Sequence, residues 1–466
     1  MRRLLGNFYI QVAAGYAVFG GVLAARVILF PENARVLLSP MYGWWEPWIS
    51  WWALPAAAVL GGAVYLAWRG RERVRAWLLF PISLAAAVAV NLMPGGWVTF
   101  PFRSLFIFVR DAGWLYQNDN VFRNYVALTA HSNQHCRVRP GMTYWLLGIA
   151  DRLARGNEIV VELLLLAAAA GAVLAAYALA RTLLDKRESW FAATLFAFAP
   201  SFLIYGAGPD GFYALLGLAT FALALRSFLK PAGWPYALGA GFVFAFALTS
   251  AYTLAPVFAF LGVIALAVSL TRTPRARPWV NLGLVVVSAF AFLAAFQIVT
   301  GYDHIAAFKR AYWTAQALAP GGDNVFKMAA RLAGGGGLNL PKAGERPYLV
   351  WVFANLFAFF AMTGVPLAVL YGREALAVVR DRARRMTTYG AVALAFLGAF
   401  LAYNFSGLIL GETERTWLFL VGGFAFPAAV ALVRFAKTAG RRAYGWALAL
   451  GAFQAGLYHI LIGTPF

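Results

Sequence analysis

Asp111 is the side chain in this sequence best placed to do chemistry. It follows Arg110 and precedes Gly113 and Trp114 at the edge of an apolar run. A carboxylate there can take the proton from an attacking hydroxyl while an indole such as Trp114 supports a sugar ring, as general-base catalysis of glycosyl transfer requires. The same carboxylate could cap a helix or pair with an arginine, and the neighbouring residues leave both open. Asp119, within Gln-Asn-Asp-Asn, is the second candidate base, in an amide-rich setting that turns also use.

Cations and imidazoles crowd the same stretch, residues 102–140. Arg103, Arg110, Arg123, Arg137 and Arg139 are either solvated charges or guanidinium forks that grip a phosphate through paired charge-assisted bonds. His131, His135 and Cys136 form His-Ser-Asn-Gln-His-Cys, and an i, i+4 histidine pair on a helix would suit a divalent metal. The amide filling and the lack of a neighbouring carboxylate favour a loop, with His135 as a substrate contact. No cofactor is therefore required, and a divalent metal is the one compatible ion.

Further candidates lie downstream. Asp210, in Gly-Pro-Asp-Gly, either caps the next helix or faces the same cavity as Asp111. Glu412, Glu414 and Arg415 stand directly before an apolar span. A helix dipole favours acids at that position, whereas charges at membrane depth usually face a cavity; both readings stay open. His304, Lys309, Arg310 and Arg346 are candidate phosphate contacts or solvated surface residues. Asn404-Phe405-Ser406 matches a glycosylation sequon but abuts the end of a helix.

The elements that must position these groups are membrane helices. With 466 residues, 62% hydrophobic and 12% charged, the chain cannot hide its apolar side chains in a soluble globule. The expected fold class is an all-α polytopic membrane protein. Apolar stretches fall near 8–30, 52–68, 76–94, 158–181, 189–206, 211–229, 235–250, 252–270, 279–300, 348–370, 387–403, 416–434 and 443–463, about thirteen helices. The first is read as a span and not a cleaved signal, since no small-residue cleavage site follows it. The division between 235 and 270 is the least defined.

A net charge of +21 would point to nucleic acid in a soluble protein. Here the basic residues recur in alternate connections, from Arg2 and Arg3 through Arg69, Arg71, Arg73 and Arg75 to Arg434, Lys437, Arg441 and Arg442. The short connections of the other set carry Arg35 and Arg415. The positive-inside rule then predicts a cytoplasmic N-terminus, an external C-terminus, and membrane lipids as partners without nucleic acid. It places both long polar loops, 95–157 and 301–347, on the outer face with Asp210 and Glu412 to Arg415. Residues 100–109, 142–155 and 304–318 read as helices lying on the membrane surface, and Gly334 to Gly337 as a hinge.

The chain divides into N-terminal helices 1–75, a core 76–300 that includes the first outer loop, the second loop 301–347, and C-terminal helices 348–466. The single cysteine excludes an intrachain disulfide and a cysteine cluster. No phosphate-binding P-loop or dinucleotide fingerprint is present, which argues against an ATP-driven pump.

Taken together, the helices, the acid in the first large outer loop and the arginines resemble the GT-C membrane glycosyltransferases. Arg110-Asp111-Ala112-Gly113-Trp114 is similar to their catalytic-acid segment, and Arg139-Pro140-Gly141-Met142 stands where protein-mannosyltransferase-like members carry His-Pro-Pro-Gly. Residues 200–217 resemble their Pro-to-Asp helix hairpin, and 411–419 a segment of some bacterial and archaeal members. The resemblance implies an inverting transferase of hexosyl or pentosyl groups. Its donor would be a polyprenyl-phosphate sugar, held by Arg139 or Arg415, and its acceptor a hydroxyl of a glycan, lipid or protein, with Asp111 as base. Two departures stand out. The acidic loop follows the third helix instead of the first, and Ala112 replaces the acid paired with Asp111 in protein mannosyltransferases. The Trp-Trp-Asp motif of oligosaccharyltransferases is also missing, Trp44-Trp45-Glu46 lying in another loop. The alternative is a transporter or flippase of a lipid-linked saccharide, which would call for inverted repeats and broken central helices; neither is visible in the sequence.

Overall fold

All thirteen apolar stretches form helix in the computed structural model, which describes residues 7–29, 44–45, 48–72, 74–96, 112, 121–129, 138–318, 348–407, 413–439 and 442–463. Hydrocarbon leaves backbone amides no partner but one another, so each stretch satisfies its own. The helices are α1 (Phe8–Leu29), α2 (Ala53–Gly70), α3 (Leu79–Leu92), α4 (Tyr125–Thr129), α5 (Gly141–Leu153), α6 (Glu158–Ala180) and α7 (Lys186–Ala197). There follow α8 (Pro200–Tyr205), α9 (Pro209–Leu229), α10 (Trp234–Ser250), α11 (Val257–Thr271), α12 (Arg277–Thr300) and α13 (His304–Leu318). The last are α14 (Tyr348–Thr363), α15 (Val365–Arg380), α16 (Arg382–Arg385), α17 (Thr388–Ser406), α18 (Thr413–Thr416), α19 (Leu418–Ala439) and α20 (Arg442–Leu461). One two-residue strand pair, Trp44–Trp45 with Ile462–Gly463, is antiparallel.

Six described helices are long and apolar enough to cross a membrane, or seven if the bent pair α14 and α15 forms one span. Shorter apolar helices lie at Phe8–Val22, Ala76–Leu92 and Trp234–Ser250. The chain divides at 251–256, where Ser250 ends α10 and a 3-10 turn, Tyr252–Leu254, leads into α11.

The core is built around α6, α9 and α19, with α3 and α7 against them. Caps fix the ends: Asn157 accepts from the amides of Ile159 and Val160, and Asp185 from that of Glu188. At the arginine-rich end, Glu374 of α15 accepts from Arg434 of α19 at 2.7 Å and from Tyr389 of α17 at 3.1 Å.

Two helices are broken, which the sequence did not reveal. Pro200 cannot donate its amide, and the chain turns at Phe198–Ala199 between α7 and α8. The axes of α14 and α15 differ by 110° at Gly364, whose φ of +99° is one that side chains rarely tolerate. Of the three stretches expected as surface helices, 142–155 and 304–318 are largely helical as α5 and α13, and residues 100–109 lie outside the described part. Ile305, Phe308, Tyr312 and Trp313 of α13 are exposed on one face.

Candidate active site

The end of the bundle opposite the Glu374 cluster gathers side chains that are far apart in sequence. Asp210 lies in the first turn of α9. That turn rests on α6 through glycine: a Cβ on Gly211 would fall 2.5 Å from the Gly206 carbonyl oxygen and 2.6 Å from Ala169 Cβ. Gly208 occupies the N-cap position without a side-chain cap. Asp210 therefore does not cap α9; its Oδ2 lies 3.4 Å from Arg415 Nη1. Both residues are buried.

Arg415 belongs to the four-residue helix α18, which enters α19. Thr413 of that turn donates to the carbonyl of Asn355 in α14 at 3.2 Å. Trp417, just beyond, packs between Phe359, Phe400 and Tyr403.

Arg139 completes the group from a third direction. Part of its side chain reaches the surface, yet Nη1 is sealed from solvent, and the guanidinium lies within electrostatic reach of Tyr213, Tyr144, Asp210 and Arg415. Its carbonyl accepts from the Tyr125 hydroxyl at 2.7 Å. The next amide but one, that of Gly141, donates to Tyr302 at 3.1 Å, and burial pushes the Tyr302 phenol above its usual range. A Cβ at Gly141 would meet both Tyr302 and Tyr125 rings at 3.1–3.2 Å. Thr143, at the start of α5, shares a hydrogen bond with Tyr213 at 2.9 Å and donates to the Ser250 carbonyl.

Among the described residues, two guanidiniums thus face one carboxylate beside two phenols. Guanidiniums remain charged at any working pH, and in a water-poor site their attraction for an oxyanion is strong. The group can hold a phosphate. No three of His, Cys, Asp and Glu converge to hold a metal among the described residues.

Of the residues singled out by sequence, Arg139, Asp210 and Arg415 come together. His304 does not join them. Its Nε2 faces the Leu293 carbonyl at 3.2 Å, and its ring packs on Tyr302. Burial, opposed by the Leu293 carbonyl and Asp303, holds its pKa below the ordinary value, so it presents a neutral ring. Arg310 donates to the Val126 carbonyl, and Lys309 is exposed. Asn404 of the sequon is buried and donates to the Val352 carbonyl at 3.1 Å. Asp111, Trp114, Asp119, His131, His135, Cys136, Arg346 and Glu412 lie outside the described residues, as does the side chain of Glu414. Ala112, beside Asp111, is fully buried.

Sequence reasoning missed Tyr125, Tyr144, Tyr213 and Tyr302. Tyr213 carried a usable signal, since it stands three residues after Asp210 and so shares its face of α9. Glu162, fully buried four residues into α6, was also missed.

Comparisons with known proteins agree with this architecture. Residues 138–296, the stretch from Arg139 through most of α12, match the dolichyl-phosphate-mannose-protein mannosyltransferase family. No curated protein sequence matches. The oligosaccharyltransferase AglB of Archaeoglobus fulgidus, solved with an inhibitory peptide and a dolichol-phosphate, superposes with a TM-score of 0.51 at 16% identity, over 84% of this chain and 56% of that one. The A. fulgidus oligosaccharyltransferase solved with Zn and sulfate gives 0.50 at 18% identity, over 83% and 54%. ArnT of Cupriavidus metallidurans, bound to undecaprenyl phosphate, gives 0.46 at 13%, over 77% and 76%. The chain spans a little over half the length of the archaeal enzymes it matches. The fold is that of the GT-C membrane glycosyltransferases.

Proposed function

We propose that this GT-C fold carries a glycosyltransferase that moves a sugar from a polyprenyl-phosphate donor to a hydroxyl acceptor, with inversion. The observation that carries the reading is the convergence of Arg139, Asp210 and Arg415 at one end of the bundle. A dolichol-phosphate bound to an archaeal protein of the same fold makes a lipid phosphate the natural guest.

In this reading the donor phosphate lies against Arg139 and Arg415, and Asp210 holds Arg415 in orientation. The acceptor hydroxyl gives its proton to Asp111, or to Asp119 if that is the base, as its oxygen attacks the anomeric carbon. The bond from that carbon to the phosphate oxygen breaks on the opposite face. The polyprenyl phosphate leaves with one more negative charge, which the two guanidiniums offset in a setting of low dielectric. Trp114 and His135 are placed at the sugar, Glu412 and Glu414 at the acceptor. The charge alternation of the connections puts this site on the outer face of a cell membrane, with the N-terminus cytoplasmic.

Asp111→Asn, reconstituted with labelled polyprenyl-phosphate sugar, should lose transfer by roughly 10²–10⁴-fold while still binding polyprenyl phosphate. Transfer at the wild-type rate would sink the assignment. The broken pairs α7/α8 and α14/α15 are also what a transporter uses. A flippase would carry labelled lipid-linked sugar across a vesicle without forming product, and the same assay separates the two.

A further inference from the structure

The two halves of the Asp210–Arg415 pair hang from elements that meet at one buried point. Asp210 follows α8 by a short glycine-rich turn, Gly206 to Gly208, and α8 begins at Pro200. Arg415 sits on α18, which is tied to α14 through Asn355, and α14 ends at Thr363 beside Gly364. Pro200 and Gly364 touch: a Cβ on Gly364 would lie 3.0 Å from Pro200 Cδ. The helix that crosses behind both is α20, where a Cβ on Gly451 would fall 2.7 Å from the Phe198 carbonyl oxygen.

Three residues further along α20, Gln454 bridges the break. Its Nε2 donates to the Ala361 carbonyl at 2.6 Å, on the α14 side. Its Oε1 accepts from the Val365 amide at 3.1 Å, on the α15 side. Gln454 is 2% exposed. The break at Gly364 has no side-chain cap of its own, so this one amide meets the orphan amide of Val365 and gives the Ala361 carbonyl a second donor beside the Gly364 amide at 3.2 Å.

We infer that Gln454 is a positioning residue for the phosphate grip: by fixing the 110° angle at Gly364 it sets α14, and through Asn355 and Thr413 it sets Arg415 against Asp210. It touches neither substrate nor the pair. α14 is held at its other end too, since Tyr348 donates to the Phe405 carbonyl and Val352 accepts from Asn404. At the end nearer Gly364, Phe359 and Phe360 pack on Phe400 and Phe424, and Gln454 adds a polar hold to that packing. Nothing else is required of the glutamine by volume, because methionine fills a similar space without either bond.

The inference rests on the proposed function only for its kinetic consequence. Gln454→Met, in the full-length protein, is compared with wild type in two ways. The first is the coupling between Asp210→Asn and Arg415→Gln, read as apparent unfolding temperatures of the single and double variants in each background. The coupling should fall by at least half in the Gln454→Met background; an unchanged coupling overturns the inference. The second is the donor KM against the acceptor KM and kcat. The donor KM should rise on the order of tenfold with acceptor KM held, whereas equal loss in every parameter marks Gln454 as merely structural and overturns it. If wild type neither binds polyprenyl phosphate nor transfers sugar, the functional reading fails, and the coupling measurement still decides the positioning role.

Discussion

Two ion pairs with buried carboxylates sit at opposite ends of this bundle, and they are built differently. In the Glu374 cluster the carboxylate is saturated: Arg434 approaches one oxygen at 2.7 Å and Tyr389 the other at 3.1 Å. Arg434 also keeps 40% of its side chain in contact with solvent, which limits what the pair costs to bury. The result is a latch between α15, α17 and α19. In the Asp210 cluster the separation is 3.4 Å, longer than the roughly 2.7–2.9 Å of a tight charge-assisted bond. A second guanidinium, Arg139, lies alongside. In one cluster a single guanidinium and a phenol serve the carboxylate; in the other two guanidiniums gather about it. Burial of an ion pair alone says little about function, and its stoichiometry says more.

Breaking each cluster should separate the two roles. Arg139→Ala removes one of the two forks proposed to hold the donor phosphate and should lower kcat/KM for the donor by roughly 10²–10³-fold, measured with labelled donor in proteoliposomes. Its unfolding temperature should stay near that of wild type, because Asp210 keeps Arg415. Glu374→Gln should do the reverse. It leaves the Tyr389 hydroxyl and the Arg434 guanidinium with a weaker acceptor, a loss of about 1–3 kcal/mol of stability seen in thermal melts, with donor KM unchanged. If Glu374→Gln cut donor affinity as Arg139→Ala does, the contrast between the clusters would collapse.

The smallest effect concerns His304, which belongs to neither cluster. Burial holds its folded pKa below the ordinary value, so the unfolded chain binds more protons as the solution is acidified. The neutral ring's contribution is fully present above the unfolded value of about 6.5 and is lost as pH falls from there toward the folded value. His304→Gln should flatten that part of the profile of unfolding temperature against pH, and should leave donor KM where it was.

The helices were legible because hydrocarbon demands long apolar runs, whereas the caps Asn157 and Asp185 went unread. The break after Ser250 was half-legible, since Ala251 to Pro256 interrupts the apolar run only weakly. The convergence of Arg139, Asp210 and Arg415 was not legible. Each was marked for its chemistry, but only the packing of α9 on α6 and of α18 on α14 joins positions so distant in the chain. Glu374 was hidden for a different reason: it sits among arginines whose number reads as orientation, and two acids among them, Glu374 and Asp381, leave no pattern. Gln454 was missed because an amide within an apolar helix has no periodic signature.

The sheet of two strands has a consequence for how the protein is made. Trp44 and Trp45 pair with Gly463 and Ile462, and the Trp48 amide donates to the Ile460 carbonyl at 2.8 Å. Nearby, Tyr16 donates to the Leu450 carbonyl, 434 residues away, and Phe8 packs on Phe435. Helix α1 thus leaves the ribosome long before α15, α19 and α20, on which it packs, exist, whereas α2 meets α3 at once and its seat on α20 only at the end. Until α15, α19 and α20 arrive, lipid stands in for the missing face of α1, so closure of the bundle is a late event of synthesis.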